Sequence, residues 1–287
     1  MKGWLIVNGF VDSGKFHELY GYLSASAKNR GIELEIKTSD SFAVPIGEKI
    51  CVADHPDFAL FWDKDVVLAH RLEDEGIRLF NSARAIEICD SKILTSLILN
   101  GEVRTPKTII SPKTFEGVGY NSMKFVENAT RVVGLPMIIK EAYGSFGAQV
   151  YLVNTLDEAE KIITSLGHKD FIMQEFIRES KGRDVRVNVV GGQVVSAMER
   201  YNENDFRSNI TNGGKMRKIN LSEDMKDAAI KAAEAIGLDF AGVDILFGKD
   251  GPVVCEVNSN PHFKSSLECT GVDMSEKIMD YITEQIK

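Results

Sequence analysis

The sequence predicts a mixed α/β and α+β fold, an N-terminal open parallel-sheet domain followed by two α+β units. Three observations carry that reading. Strands alternate with helices over residues 1 to about 90, the order that builds a parallel layer. From Lys107 to about Ile177 strands and helices mix without that alternation. Near the C-terminus two apolar runs, Val243 to Phe247 and Pro252 to Val257, flank Gly-Lys-Asp-Gly, a β-hairpin signature. A length of 287 residues suits roughly two domains, with one or three open, and the pattern divides the chain at 1–90, 91–177 and 178–287.

Taken in order, Trp4 to Asn8 reads as a buried strand and Lys15 to Arg30 as a helix closed by Gly31. Ile32 to Lys37 alternates apolar and charged residues, as a strand does. Short strands fit Lys49 to Ala53, Phe58 to Trp62 and Ile77 to Phe80, with a helix over Lys64 to Glu75. Helices follow at Ala83 to Cys89 and Ser91 to Asn100, the second ended by Gly101. The middle unit holds strands at Pro136 to Lys140 and Gln149 to Val153 and a helix at Leu156 to Ser165. The last third sets strands Val185 to Val190 and Gln193 to Glu199 before a helix over Glu223 to Ile236. Ser222 suits the N-cap of that helix, Glu223 and Asp224 suit its dipole, and Gly237 closes it. The hairpin comes next, then an amphipathic helix from about Asp273.

Composition narrows the function. The chain is 44% hydrophobic and 26% charged, ordinary for a globular protein. A formal charge of −8 argues against a general nucleic-acid or anionic-membrane binder. No segment approaches the ~20 apolar residues of a membrane span, and Met1 to Val7 holds no signal-peptide core. Cys51, Cys89, Cys255 and Cys269 lack Cys-x-x-Cys or zinc spacing and read as reduced cysteines of a cytoplasmic protein.

The hairpin carries chemistry. With a turn centred near Asp250, Asp244 lies opposite or diagonal to Glu256. Alternation along the strand puts Glu256 and Asn258 on one face, Cys255 and Val257 on the other. Facing carboxylates repel, so two of them beside an amide oxygen suggest a hard cation between them; the alternative is an exposed hairpin with ordinary polar alternation.

Two segments compete as phosphate sites. Gly9-x4-Gly14-Lys15 follows a strand and precedes a helix, but Phe16 stands where a P-loop needs a hydroxyl for Mg²⁺. A plain strand-to-helix turn is the better reading. The second is the strand Pro136 to Lys140 followed by Gly144-Ser145-Phe146-Gly147, a glycine loop able to offer backbone N–H groups to phosphates while Lys140 supplies charge. Downstream, Phe171 to Ile177 is apolar apart from Gln174 and Glu175, as an adenine-binding segment or an edge strand would be. Asp184 can reach a ribose hydroxyl or pair with an arginine. The polar stretch from about Glu203 to Gly214 is long enough to be a functional loop, and brings Arg207, Ser208 and Asn209.

Seven blocks in order, Asn81-Ser-Ala-Arg with Asp90-Ser-Lys92, Pro136 to Lys140, Gln174-Glu-Phe-Ile, Gly182-Arg-Asp-Val-Arg, Asp205-Phe-Arg-Ser-Asn, Ala241-Gly-Val-Asp-Ile-Leu and Glu256-Val-Asn258, resemble the ATP-grasp superfamily, and within it the RimK-type α-L-glutamate ligases. The resemblance runs from about Asn81 to the C-terminus. It implies an ATP-grasp fold behind an N-terminal Rossmann-like domain, with ATP and Mg²⁺ (Mn²⁺ as an alternative) as cofactors. Lys92 and Lys140 would contact phosphates under the Gly144, Ser145 and Gly147 loop. Gln174, Glu175, Phe176 and Ile177 would line the adenine pocket and Asp184 the ribose. Arg207, Ser208 and Asn209 would lie at the phosphate end, with Arg207, Asn209 and Lys140 as the catalytic set. Asp244, Glu256 and Asn258 would hold the metal. One block departs from the RimK type: Ser259-Asn-Pro-His262-Phe263-Lys264 stands where a small glycine-containing turn is expected. Lys264 there could meet a substrate carboxylate, or be a solvated lysine at a helix start.

The implied reaction is an ADP-forming carboxylate–amine ligation through an acyl phosphate, joining glutamate or another amino acid to an amine- or carboxylate-bearing acceptor: a peptide, a protein C-terminus or a small molecule. The alternative is a non-catalytic ATP-binding regulator of the same fold. Relatives often form dimers or tetramers, so a homo-oligomer is compatible with the resemblance. No residue stands out as general base.

Overall fold

The computed structural model describes residues 1–50, 54–145 and 147–287. Strand β1 (Lys2–Val7) is buried at five of its six positions and sits inside a parallel sheet. The chain leaves it through helix α1 (Gly14–Asn29) to β2 (Glu33–Thr38), then crosses back to β3 (Phe58–Trp62), α2 (Val66–Asp74) and β4 (Leu79–Phe80). The sheet order is β2-β1-β3-β4, all parallel. Successive residues of β1 serve opposite faces, as the pleat requires: Leu5 and Val7 pack toward α1, Trp4 and Ile6 toward Leu68 and Leu72 of α2. The strand expected over Lys49 to Ala53 reaches residues 51–53, outside the described residues; Lys49 and Ile50 belong to no regular element.

Helices α3 (Ala83–Asp90) and α4 (Lys92–Leu99) lead to the middle unit. It comprises β5 (Thr108–Ile110), α5 (Lys124–Val133), β6 (Met137–Glu141), β7 (Val150–Val153), α6 (Leu156–Leu166) and β8 (Phe171–Glu175). Its antiparallel order is β5-β8-β6-β7, so β8 is flanked on both sides rather than at an edge. Helices α5 and α6 cover one face through Val126, Ala129, Ala159 and Ile163.

The third sheet is antiparallel, in the order β11-β10-β9-β12-β13. Its strands are β9 (Arg183–Val190), β10 (Gln193–Tyr201), β11 (Lys215–Lys218), β12 (Phe240–Gly248) and β13 (Gly251–Asn258), with α7 (Glu223–Ile236) between β11 and β12. Lys215, the residue that follows the polar stretch, opens β11 by pairing with Tyr201. The Ser222 hydroxyl accepts from the Met225 N–H at 3.3 Å and Gly237 ends α7 in the left-handed region, as its cap residues require. Val185, Val187, Val189, Val243 and Ile245 form the apolar face, against Ala229, Ala232 and Ala233 of α7.

Two packing relations cross the sequence divisions. Ala85, Ile88 and Leu99 from α3 and α4 join the core beneath the third sheet. After α8 (Lys264–Thr270), the last helix, α9 (Met274–Gln285), packs on α1 beneath the parallel sheet. Ser26 and Ser275 meet at 2.6 Å there, and Arg30 pairs with Asp280 at 2.6 Å.

Candidate active site

A cleft lies between the middle and third sheets, and the residues singled out from sequence converge on it. Lys92, Lys140, Gly144, Ser145, Gly147, Gln174, Glu175, Phe176, Ile177, Asp184, Arg207, Ser208, Asn209, Asp244 and Glu256 all line it. Lys140, near the end of β6, is only 8% exposed. Its ammonium meets the Cys255 sulfur at 3.4 Å, and Lys92 donates to the Gly144 carbonyl at 3.1 Å. Among the described residues neither lysine has a carboxylate within 4 Å. Burial pulls the Lys92 ammonium below its ordinary pKa; Glu256 opposes the shift and Lys140 adds to it. Two partly desolvated cations with no carboxylate in direct contact make this end of the cleft suited to a polyanion.

The roof consists of two loops in contact. Arg207 donates to the Gly147 carbonyl at 2.8 Å and is itself clamped by Asp205 at 2.8 Å. Gly147 has φ +72°, and a Cβ there would stand 2.9 Å from the Asn209 amide oxygen. Glycine therefore serves both the backbone twist and the close approach. Phe146, between these glycines, lies outside the described residues. At the opposite end of the cleft the Gln174 side chain donates to Thr108 at 2.9 Å. Phe176 and Ile177 follow the end of β8 and line the cleft where the strand ladder has stopped.

The floor is the second face of the third sheet, a ladder of alternating charges. Asp184 and Arg200 face each other across β9 and β10, Arg186 and Asp244 across β9 and β12. Arg200 grips Asp184 through two bonds, at 2.8 and 2.5 Å, and also reaches Asp244 at 3.0 Å. Arg186 holds Asp244 through Nε and, at 2.9 Å, Nη2. Burial pushes the Asp244 carboxyl up, but the two guanidiniums outweigh it and hold it below the usual range. Of the two roles open to Asp184, the structure displays the arginine pairing.

Asp244 and Glu256 are direct cross-strand partners, with Asn258 opposite Gly242. These residues fit a hard cation. Among the described residues Glu256 has no lysine or arginine nitrogen within 4 Å. Asn258 spends its amide N–H on the Gly242 carbonyl at 3.2 Å, leaving its oxygen as a donor atom. No cluster of three or more His, Cys, Asp or Glu side chains forms a ready metal site among the described residues; the third donor here is an amide and Asp244 is engaged by arginines.

Two expectations are corrected. A β-bulge between Asp244 and Ile245 leaves Cys255 without a cross-strand partner. An extra residue breaks the two-residue alternation, so Cys255 lines the cleft beside Glu256 instead of the opposite face. Lys264 does not line either cavity described here; it pairs with Glu18 of α1 at 2.6 Å. His262 takes the inward position and Phe263 is fully buried.

A second cavity of about 550 Å³ adjoins the cleft, and Gly144, Ser145, Gly147, Arg200, Asn209, Asp244 and Glu256 line both. Arg186 and Asn258 line the second cavity alone, as do Lys15 and Phe16. The glycine-lysine turn at the start of α1 thus faces this cavity and not the lysine-lined cleft. Sequence reasoning missed Arg186, Arg200 and His262; Arg186 lay in a quoted block, two residues after Asp184 on the same face.

Comparison with known proteins decides the family. Residues 90–282 match the RimK-like ATP-grasp domain. The chain belongs to this family. An uncharacterized protein of Mycoplasma pneumoniae is 36% identical over 214 residues, 72% of this chain and 74% of that one. A probable alpha-L-glutamate ligase of Vibrio atlanticus is 39% identical over 223 residues, 77% of this chain and 72% of its own. Among solved structures, the ATP-grasp ligase PsnB, complexed with a precursor variant, Mg and ADP, superposes with a TM-score of 0.72 at 22% identity, covering 99% of this chain and 98% of that one. The RimK-like ATP-grasp chain therefore has the fold of ATP-dependent ligases. Among the described residues no helix is long and apolar enough to cross a membrane.

Proposed function

We propose that the protein is an ATP- and Mg²⁺-dependent carboxylate–amine ligase that forms ADP through an acyl phosphate. The observation that carries this is the shared wall. The lysine-lined cleft opens directly into a second, larger cavity, and the same residues border both. Such a junction suits group transfer between a nucleotide and a second substrate. PsnB, solved with Mg and ADP, and the probable glutamate ligases support the same chemistry.

Lys92 and Lys140 hold the phosphates, and Gly147 with Arg207 and Asn209 closes the roof against water, which would hydrolyse an acyl phosphate. Asp244, Glu256 and Asn258 would hold Mg²⁺, which would supply neutralisation of the negative charge that develops during phosphoryl transfer. The γ-phosphoryl group passes from the ADP oxygen to a substrate carboxylate oxygen. An amine nitrogen then forms the C–N bond at the acyl carbon, loses a proton and expels inorganic phosphate. Well-placed charges at such a site contribute about 3–4 kcal/mol each to the transition state. The substrates are glutamate or another amino acid, with an amine- or carboxylate-bearing partner, in a cytoplasmic setting.

The test is phosphate release by purified protein with ATP and Mg²⁺, across single and paired amino acids, small acids and dipeptides, with Glu256→Ala beside it. Release that requires both a carboxylate and an amine, and is lost in the variant, is expected. ATP binding without release under any pair would favour the non-catalytic reading.

A further inference from the structure

The wider cavity has two ends of opposite character. Arg200, Asp244 and Glu256 line the end shared with the cleft, with Arg186 bound to Asp244 beside them, and Asn8, Tyr20, Trp62 and Asp63 come from the parallel-sheet side. Asn8 follows β1 and Asp63 follows β3 directly. The chain goes from β1 outward to β2 on one side and returns to β3 on the other. The gap between the C-terminal ends of β1 and β3 is therefore the switch point of the sheet, where open parallel sheets receive ligands.

Asp63 is only 7% exposed. Its carboxylate accepts from the Asn8 amide at 3.2 and 3.4 Å and from the Lys64 backbone N–H at 2.7 Å. Among the described residues no lysine, arginine or histidine nitrogen lies within 4 Å of it, and the Lys64 ammonium is given to Asp90. A carboxylate so desolvated calls for a cationic partner. Tyr20 and Trp62, 7% and 5% exposed, also line this end, and no cluster of three or more His, Cys, Asp or Glu gathers there among the described residues, so an ammonium suits it better than a metal ion. No role in phosphoryl transfer falls to this end of the cavity.

We propose that Asp63, oriented by Asn8, binds the ammonium group of an amino-acid substrate whose carboxylate points toward the end lined by Arg186 and Arg200. An ammonium paired with a carboxylate keeps its proton and is no nucleophile, so this group is a recognition handle. The substrate that presents its carboxylate for phosphorylation is then an amino acid or a short peptide with a free N-terminus, not a simple acid. This specificity rests on the ligase reading above.

Ligand-detected NMR on the full chain with AMPPNP and Mg²⁺ tests it, using each common amino acid and the corresponding acid lacking the amino group. At least one amino acid should bind, roughly tenfold or more tightly than its desamino form. Asp63→Asn should erase that preference while AMPPNP affinity stays level, showing that the fold holds, and Asp63→Glu should restore part of it. In turnover, Asp63→Asn should raise KM for the amino acid far more than it lowers kcat. No amino acid bound, equal binding of the desamino acids, or a preference untouched by Asp63→Asn would overturn the subsite. An amine preference without phosphate release from any substrate pair would instead count against the ligase reading and leave the subsite standing.

Discussion

The two faces of the five-stranded sheet are made by alternate residues of the same strands, yet they do opposite work. Toward α7 stand Val185, Val187, Val243 and Ile245, all fully buried. Their chain neighbours Asp184, Arg186 and Asp244 form the charged floor of the cleft. Burying an apolar side chain contributes about 1.5–3 kcal/mol, whereas a buried ion pair roughly breaks even against its desolvation cost. The apolar face therefore anchors the strands, and the charged face is tolerated for what it binds. Each strand carries both tasks because its period of two separates them.

The largest effect should come from breaking the charged face at one point. Asp244→Asn would strip Arg186 of a bidentate carboxylate and cost Arg200 its second partner. Leaving a buried guanidinium uncompensated costs about 3–5 kcal/mol, so a clear fall in the urea midpoint is expected. A midpoint unchanged from wild type would mean that the ladder is not desolvated and that the contrast between the faces is weaker than drawn. Next comes a change on the same face that should cost function and not stability. Glu256→Gln should lower phosphate release by roughly 10²–10³-fold. Its unfolding midpoint should shift little, because Glu256 forms no ion pair within 4 Å among the described residues. On the apolar face the reverse is expected. Ile245→Val, at a fully buried position, should cost about 0.5–1.5 kcal/mol with ATP affinity unaltered, measured by calorimetric titration on folded protein.

Legibility from sequence follows the same line between local and non-local order. The strand Phe58–Trp62, the helix Glu223–Ile236 with both caps, and the hairpin turn before Gly251 announce themselves through neighbours a few residues apart. That Asp244 lies near Glu256 is equally local, although the Gly248–Gly251 turn by itself would pair Asp244 with Cys255. The bulge is not: it arises in the pairing of two strands, and it moves Cys255 into the cleft against the simple alternation. Nor do residues advertise partners far along the chain. Arg186 finds Asp244 58 positions away, and Lys264 finds Glu18 at a separation of 246. Three-residue β5 is too short to carry a period, and its place is fixed by pairing with β8.

The smallest effect should appear at the rim of the cavity, where acid acts on the two regions with different timing. Burial, assisted by Lys15 and then Arg186 and Lys264, pushes the His262 pKa down to about 4. An unfolded chain takes up that proton near the ordinary pKa of ~6.5. Between these values the unfolded state binds more protons than the folded one, so stability falls as pH drops from about 6.5 toward 4 and is level above. Asp244 behaves otherwise. Its folded pKa is depressed, so its contribution is complete above the unfolded value of ~3.9 and fades only as pH falls below it. Mild acid should therefore loosen the protein through His262 while the charged floor still holds. His262→Gln removes the titration and should flatten the melting temperature between pH 6.5 and 4.5. The difference should be on the order of 1 kcal/mol once solvent screening of this half-buried ring is allowed for. An equally steep pH profile in the variant would assign the acid sensitivity to another group and leave His262 neutral for reasons of packing alone, including its edge contact with Phe16 at 6.3 Å.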